Sequence, residues 1–178
     1  MRQAESIKTF RIEAFAVWRA TAEVPRPEVS FVPPLARRRL TEVERAAISV
    51  AWRVKPDGEV PVVFASRWGE IGTTFKLMRQ MHDEGEMSPA GFSSSVHNAA
   101  PGAWSLFTKN RAPYTAIAAR DRSYEMGLVE AEAQLAAGAP YVLYIYAEES
   151  TPEYYLPAFG ETVTAQAVAM LLKRETAS

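Results

Sequence analysis

The segment FSSSVHNAAPGAW, from Phe92 to Trp104, gathers three serines, a histidine and an asparagine in an otherwise apolar stretch. A serine hydroxyl becomes a nucleophile when a base such as histidine lies within hydrogen-bond distance. Hydrolases built on α/β sheets place that serine in a G-x-S-x-G turn between a strand and a helix, and Gly91 and Gly102 do not have this spacing. Because proximity in sequence does not bring a base to a hydroxyl, the segment supports a serine hydrolase or acyltransferase only weakly.

The sequence gives even less support for metal or cofactor chemistry. The sequence holds two histidines, His82 and His97, and no cysteine, which excludes disulfides, thiolate zinc sites and cysteine nucleophiles. Residues 68–74 place glycines between a strand and a helix, where an anion could bind, but they do not form a P-loop motif and Glu70 would repel phosphate. We therefore expect no cofactor and no metal.

The composition fits a single folded domain over residues 1–178. Hydrophobic residues make up 48% of the chain and charged residues 23%, which is enough to bury a sizeable core. The net charge of −1 offers no basic excess for binding phosphates, so a nucleic-acid partner is not expected. The N-terminus lacks a signal-peptide pattern and no stretch of 18 apolar residues occurs, so we expect a cytoplasmic protein without membrane association.

Strand and helix patterns alternate along the chain. Strand patterns cover residues 10–18, 60–65, 113–119 and 141–147, and helical patterns cover 41–51, 73–83, 102–108 and 123–137. Thr41 and Glu44 predict a capping box at the first helix, and Gly85 predicts the end of the second. Residues 165–172 are ambiguous between strand and helix. Alternation of this kind predicts an α/β domain with parallel strands and helices on the sheet faces.

Two further expectations concern burial and loops. The strands at 10–18 and 113–119 read as buried, the first of them on both faces. The proline-rich connection through residues 25–34 and the polar segment 148–161 are expected to lack regular structure.

Three blocks of sequence, in order, carry a resemblance to a known family. They are residues 62–78, the run MSPAGFSSSVHNAAPG at 87–102, and NRAPYTAIAA at 110–119. Together they resemble the N-terminal half of β-ketoacyl synthases, which have a thiolase-type fold, and more closely a short, cysteine-free branch of ketosynthase-like proteins. The similarity covers residues 38–153 and, more weakly, the rest of the chain. It implies a thiolase-like half of order β-α-β-α-β-α-β-β, with five strands, four parallel and the last antiparallel, and with residues 165–172 as the fifth strand.

The resemblance also shows what this sequence has lost. Active ketosynthases carry a cysteine just past the strand that matches residues 113–119, where a helix N-terminus lowers the thiol pKa. Arg120 or Asp121 falls at that position here, and neither can carry an acyl group as a thioester. The family's two assisting histidines belong to a second half that these 178 residues do not include. Condensation by this chain alone is therefore not expected.

What the resemblance implies instead is a partner subunit. Chain-length factors of type II polyketide systems are similar in lacking the cysteine, and they pair with an active ketosynthase. The short branch is associated with aryl polyene pigments, a fatty-acid-like or polyketide-like synthesis. The implied partner is an active β-ketoacyl synthase in a heterodimer, with an acyl carrier protein as a further candidate, and homodimerisation of the isolated chain stays open.

The fold analogy places the dimer seam at the strand 113–119, with the loop that carries His97 beside it. The residues then expected at the partner interface and acyl tunnel are Ser95, His97, Asn98, Tyr114, Thr115 and Ile117. On this interpretation the serine-rich loop shapes the partner's tunnel and holds no nucleophile.

Two alternatives remain beside the partner-subunit hypothesis. One is a stand-alone module that binds an acyl chain or a carrier protein, and the other is a Ser/His hydrolase or acyltransferase. The basic run 37–39 is usually explained as a solvated turn, but it would also favour docking of an acidic protein.

Overall fold

The computed structural model describes residues 10–160 and 162–175. The strands are β1 (Phe10–Arg19), β2 (Val62–Ala65), β3 (Tyr114–Ile117), β4 (Tyr141–Glu148) and β5 (Gln166–Arg174). The helices are α1 (Pro34–Arg37), α2 (Glu42–Arg53), α3 (Ile71–Glu84), α4 (Pro89–Ser93), α5 (Ala99–Thr108), α6 (Ser123–Ala136) and α7 (Leu156–Phe159). Single 3-10 turns occupy Arg120–Arg122 and Glu153–Tyr155.

The five strands form one mixed sheet in the order β1-β5-β4-β2-β3. β2 is parallel to both β3 and β4, whereas β5 is antiparallel to both β4 and β1. Four strands therefore share one direction and β5 opposes them. This arrangement confirms the predicted fold class, and it resolves residues 165–172 as a strand.

Helices cover both faces of the sheet. α2 packs against β4, β5 and β1, and its buried face carries small and branched side chains such as Ala46, Ile48 and Val50. α6 packs on the opposite face against β4 and β2, where Gly127 lies over Tyr144. Burial of these two helix faces creates the two apolar clusters of the core.

Local signals placed the helix ends correctly. Thr41 Oγ1 accepts a hydrogen bond from the Glu44 amide at 3.0 Å, and the Thr41 amide donates to the Glu44 carboxylate at 2.9 Å. This reciprocal pair is the predicted capping box of α2. α3 ends at Gly85, whose φ of 73° lies in the left-handed region, as predicted.

The expectation that β1 is buried on both faces was wrong. Ala16 faces the α2 side of the core, but Phe15 on the other face is 72% exposed and Val17 is exposed as well. β1 is an edge strand, and α6 does not extend over it. The outer edge of β1 is closed in part, because the Arg53 guanidinium donates to the Val17 carbonyl oxygen at 3.2 Å.

Burial of β3 was also overestimated, since this strand forms the other edge of the sheet and Tyr114 is 40% exposed.

The two connections expected to be irregular contain short helices. α1 begins at the end of the first connection, and α7 lies within the second. Each of these helices has proline within its first two residues, where a missing amide hydrogen costs nothing. Within the described residues, no helix has the length and apolarity needed to cross a bilayer.

Replacement of Gly127 by alanine tests the packing of α6. A Cβ at this position would lie 2.6 Å from Tyr144 Cε2 and 2.7 Å from Ala65 Cβ. Alanine is the better helix former by about 1 kcal/mol, yet overpacking a core typically costs about 1 to 3 kcal/mol. We expect Gly127→Ala to lower the free energy of unfolding, measured by urea denaturation. Val129→Ala, at an exposed position of the same helix, is the control and should change stability little.

Candidate functional site

The turn between β3 and α6 is where the family resemblance predicts the position of the lost nucleophile, at Arg120 or Asp121. Arg120 has a φ of 52°, which L-residues with side chains adopt at a cost. The buried Ser123 closes the turn, because its hydroxyl accepts from the Ala119 amide at 2.9 Å and donates to the Arg120 carbonyl at 2.7 Å. The side chains of Arg120 and Asp121 are exposed. The strained turn thus has no nucleophilic side chain at its apex.

An ion pair ties this turn to the loop that follows β2. Arg67 Nη2 lies 2.7 Å from Asp121 Oδ1, and the Arg67 guanidinium stacks over the Trp68 ring at 5.0 Å. Trp68 in turn stacks on Phe159 at a centroid distance of 4.3 Å. Arg67 and Asp121 therefore compensate each other's charge at the surface beside the turn, in a fixed arrangement.

Glu148, at the end of β4, organises the β2–α3 loop. Its buried carboxylate accepts from the Ser66 hydroxyl at 3.2 Å and from the Arg67 amide. The Ser66 oxygen also accepts from the Gly69 amide at 2.8 Å. Burial raises the pKa of Glu148, and the hydrogen bonds from the loop oppose that shift. Sequence reasoning missed this residue, and its position directly after the clearest strand was the available signal.

His97 is held as a structural residue. Its Nε2 lies 3.0 Å from the Ser66 carbonyl oxygen, and since a carbonyl only accepts, that nitrogen carries the proton. The ring meets Phe64 edge-on at 5.7 Å, and a Cβ at Gly69 would lie 2.9 Å from His97 Cδ2. The histidine therefore fastens the α4–α5 loop to the end of β2.

The serine hydroxyls of the run do not engage His97. Ser93 donates to the Pro89 carbonyl at 3.0 Å, and Ser95 donates to the Phe92 carbonyl at 2.9 Å. Each hydroxyl thus satisfies a carbonyl of its own helical turn. This geometry supports neither a hydrolase nor an acyltransferase centred on these serines.

The residues expected at the partner interface fall into two groups. Ser95, His97 and Asn98 share the loop between α4 and α5, whereas Tyr114, Thr115 and Ile117 lie on β3. Asn98 and Tyr114 are exposed, but Thr115 accepts from the Gln134 side chain at 3.3 Å and Ile117 packs at the α6 side of the core. The fold brings His97 to Ser66, the residue that follows β2.

An open apolar groove of about 990 Å³ runs beside α5. α2, α4 and the segment around α1 form its other walls, and Leu106 on α5 is 85% exposed there. Ser93 and Ser94 line its rim, so the serine-rich loop contributes to this surface. The described residues contain no cluster of three or more side chains suited to holding a metal ion.

Relief of backbone strain at Arg120 is testable. Arg120→Gly removes the Cβ that disfavours a positive φ, although glycine also makes the unfolded chain more flexible. We expect a net gain of about 0.5 to 1 kcal/mol in the free energy of unfolding, measured by urea denaturation. Arg120→Ala, which removes the guanidinium but keeps the Cβ, is the control. An equal gain in both variants would show that the side-chain charge, and not the backbone, is the cause.

The model of the β-ketoacyl synthase N-terminal domain family matches residues 14–178. No curated protein matches the sequence significantly.

Solved structures share the fold. One chain of the complex between the ketosynthase ApeO and its chain length factor ApeC, from Xenorhabdus doucetiae, superposes with a TM-score of 0.82 at 23% identity, covering 94% of this chain and 80% of that one. The ishigamide ketosynthase/chain length factor gives a TM-score of 0.70 at 17% identity, covering 91% of this chain and 55% of that one.

A third structure, AntDE:AntF, is a type II polyketide synthase acyl-carrier protein in complex with its ketosynthase. It gives a TM-score of 0.69 at 15% identity, covering 83% of this chain and 50% of that chain. This chain therefore spans only about half the length of the second and third structures. The matched family model together with the mixed sheet shows that the chain belongs to the β-ketoacyl synthase N-terminal domain family, with a thiolase-like fold.

Proposed function

We propose that this chain is a non-catalytic, chain-length-factor-like subunit that pairs with an active β-ketoacyl synthase in the cytoplasm. The observation that carries the proposal is the β3–α6 turn. Its backbone is strained at Arg120, and it presents Arg120 and an Asp121 side chain that is bound to Arg67. Thioester chemistry needs a thiolate at this point, and the sequence has no cysteine.

The edge of β3 supports pairing with another subunit. The Pro113 and Ile117 carbonyls accept from the Val62 and Ser66 amides, which fixes the side of the strand that faces β2. Because backbone groups of successive residues point to opposite sides of a strand, those of Ala116 point away from β2. No strand lies on that outer side within the described part of the chain. An unpaired edge of this kind is a template for a strand of a partner.

The groove beside α5 supports a role in shaping an acyl tunnel. Its walls are largely apolar, and the exposed Leu106 would meet water in the isolated chain. A partner that covered this surface would enclose apolar space suited to an acyl chain. Synthesis of an aryl polyene product is part of the same proposal, and one neighbour with the fold is described as a ketosynthase with its chain length factor.

A carrier protein is the second partner that we propose. Arg39 lines the groove, Arg38 is its exposed neighbour, and neither forms an ion pair among the residues that the structure describes. Clustered cations accelerate association with an acidic surface. A relative with this fold is described in complex with an acyl-carrier protein.

The first experiment is co-expression with the ketosynthase encoded nearest in the genome, followed by affinity capture and intact-complex mass measurement. We expect a 1:1 complex whose condensation activity is lost when this chain is omitted. A chain that stays monomeric and carries a bound acyl molecule would instead favour the stand-alone binding module, for which the groove of about 990 Å³ is the specific support.

Ala116→Pro tests the β3 edge. Proline removes an amide hydrogen that points away from β2, so the isolated chain should keep its fold while strand pairing with the partner is lost. We expect at least a tenfold weaker complex, about 1.4 kcal/mol, measured by titration with the ketosynthase. The control is Ala116→Ser, which keeps the amide hydrogen at the same position. Unchanged affinity of a folded Ala116→Pro variant would remove the β3 edge from the interface.

His97→Ala tests the α4–α5 loop. Loss of the bond to the Ser66 carbonyl should release the loop, and we expect weaker capture of the ketosynthase or a changed product length. His82→Ala, which removes the other histidine at an exposed position of α3, is the matched control. Capture and product profiles identical to wild type in His97→Ala would contradict a role for this loop.

A further inference from the structure

α3 is a long helix with very little of its surface buried. Of its residues from Ile71 to Glu84 only Leu77 is buried, and Met78 is 60% exposed. Phe75 adds a stacking contact with Tyr154 at 4.5 Å. Because apolar burial contributes little elsewhere along the helix, its attachment depends strongly on the contacts at its N-terminal end.

Two carboxyl groups hold that end from different sides. Glu70, which precedes α3 and is 2% exposed, accepts from the Thr41 hydroxyl at 2.8 Å. Glu149, just after β4, accepts from the Gly72 amide at 2.7 Å. A Cβ at Gly72 would lie 2.5 Å from Glu149 Oε2, so only glycine permits this approach. Glu70 thereby joins α3 to α2, and Glu149 joins α3 to the sheet.

The electrostatic surroundings of these carboxyl groups are largely acidic. Glu44 on α2 and Glu149 face Glu70, whereas Glu42, Lys76 and Glu148 face Glu149, and Lys76 is the one cation among them.

Burial raises the pKa of Glu70 to about 8 and that of Glu149 to about 7. The hydrogen bonds from Thr41 and from the Gly72 amide oppose these shifts without cancelling them. Both groups therefore change charge within the range in which cells regulate their pH.

We propose that α3 and the preceding loop, residues 66–70, form a pH-responsive element that loosens from α2 and β4 when Glu70 and Glu149 lose their protons. The same loop carries Ser66, which bonds His97, and Arg67, which pairs with Asp121. Loosening would thus reach both the α4–α5 loop and the β3–α6 turn. The inference does not depend on the proposed function.

The direction of the effect follows from linkage. An acid whose pKa is raised in the attached state favours attachment when protonated, so attachment is strongest below the ordinary pKa of 4.5. It weakens as the pH rises towards the raised values of about 7 and 8. Above both values the two carboxylates remain charged, and the cost to attachment is constant.

Amide hydrogen exchange of the isolated chain at pH 6 and pH 9, corrected for intrinsic rates, tests the proposal. In wild type we expect the protection of α3 amides to fall by about tenfold or more relative to α6 amides across this range. Glu70→Gln and Glu149→Gln imitate the protonated groups and should each reduce that fall, and the double variant should abolish it. Glu86→Gln, at an exposed position just beyond α3, should behave as wild type.

Equal loss of protection in α3 and α6 of the wild-type chain would overturn the proposal. A full pH response that persists in the folded double variant would do the same, since the titrating groups would then lie elsewhere. If Glu70→Gln yields no folded protein, Glu149→Gln still decides the matter through the part of the response that belongs to Glu149.

Discussion

The buried Glu148 carboxylate is the interaction on which the candidate site depends. It lies at the end of the central strand β4, and it gathers the backbone and side-chain donors of the β2–α3 loop. Removal of these donors would leave a buried carboxyl group short of hydrogen-bond partners, which is among the more costly defects in a protein interior. Because the loop is fixed there, Arg67 reaches Asp121 and the Ser66 carbonyl reaches His97. Two segments far apart in sequence are thereby held against one carboxyl end of the sheet.

The features that could be predicted from sequence are those encoded by neighbouring residues. Thr41 with Glu44, and Gly85, set helix ends through contacts within one turn, so their pattern sufficed. The exposure of Phe15 could not be predicted in this way, because an apolar run looks the same in a central strand and in an edge strand that no helix covers. Glu148 was equally hidden, since its partner Ser66 lies 82 residues away along the chain. The residues expected at the partner interface came from a family resemblance, and the structure adds only their positions and bonds.

The β3–α6 turn holds Arg120 in an unfavourable backbone conformation, although no nucleophilic side chain occupies the turn. Strained conformations persist where the surrounding structure determines them, and here the buried Ser123 bonds on both sides of Arg120 do so. The backbone conformation of the turn can therefore persist in a sequence that has no nucleophile there. In this chain Ser123, Glu148 and the Arg67–Asp121 pair stabilise the turn and the neighbouring loop together.

The hydrogen bond from the Arg53 guanidinium to the Val17 carbonyl affects where further strands could add to the sheet. A sheet with two open edges can add copies at both ends, and repeated addition leads to filaments or aggregates. In this fold one edge, at β1, has a carbonyl already occupied by a side chain of α2, whereas the edge at β3 has no such cover among the described residues. Strand addition at β3 would therefore be favoured over addition at β1, which would limit growth beyond two subunits.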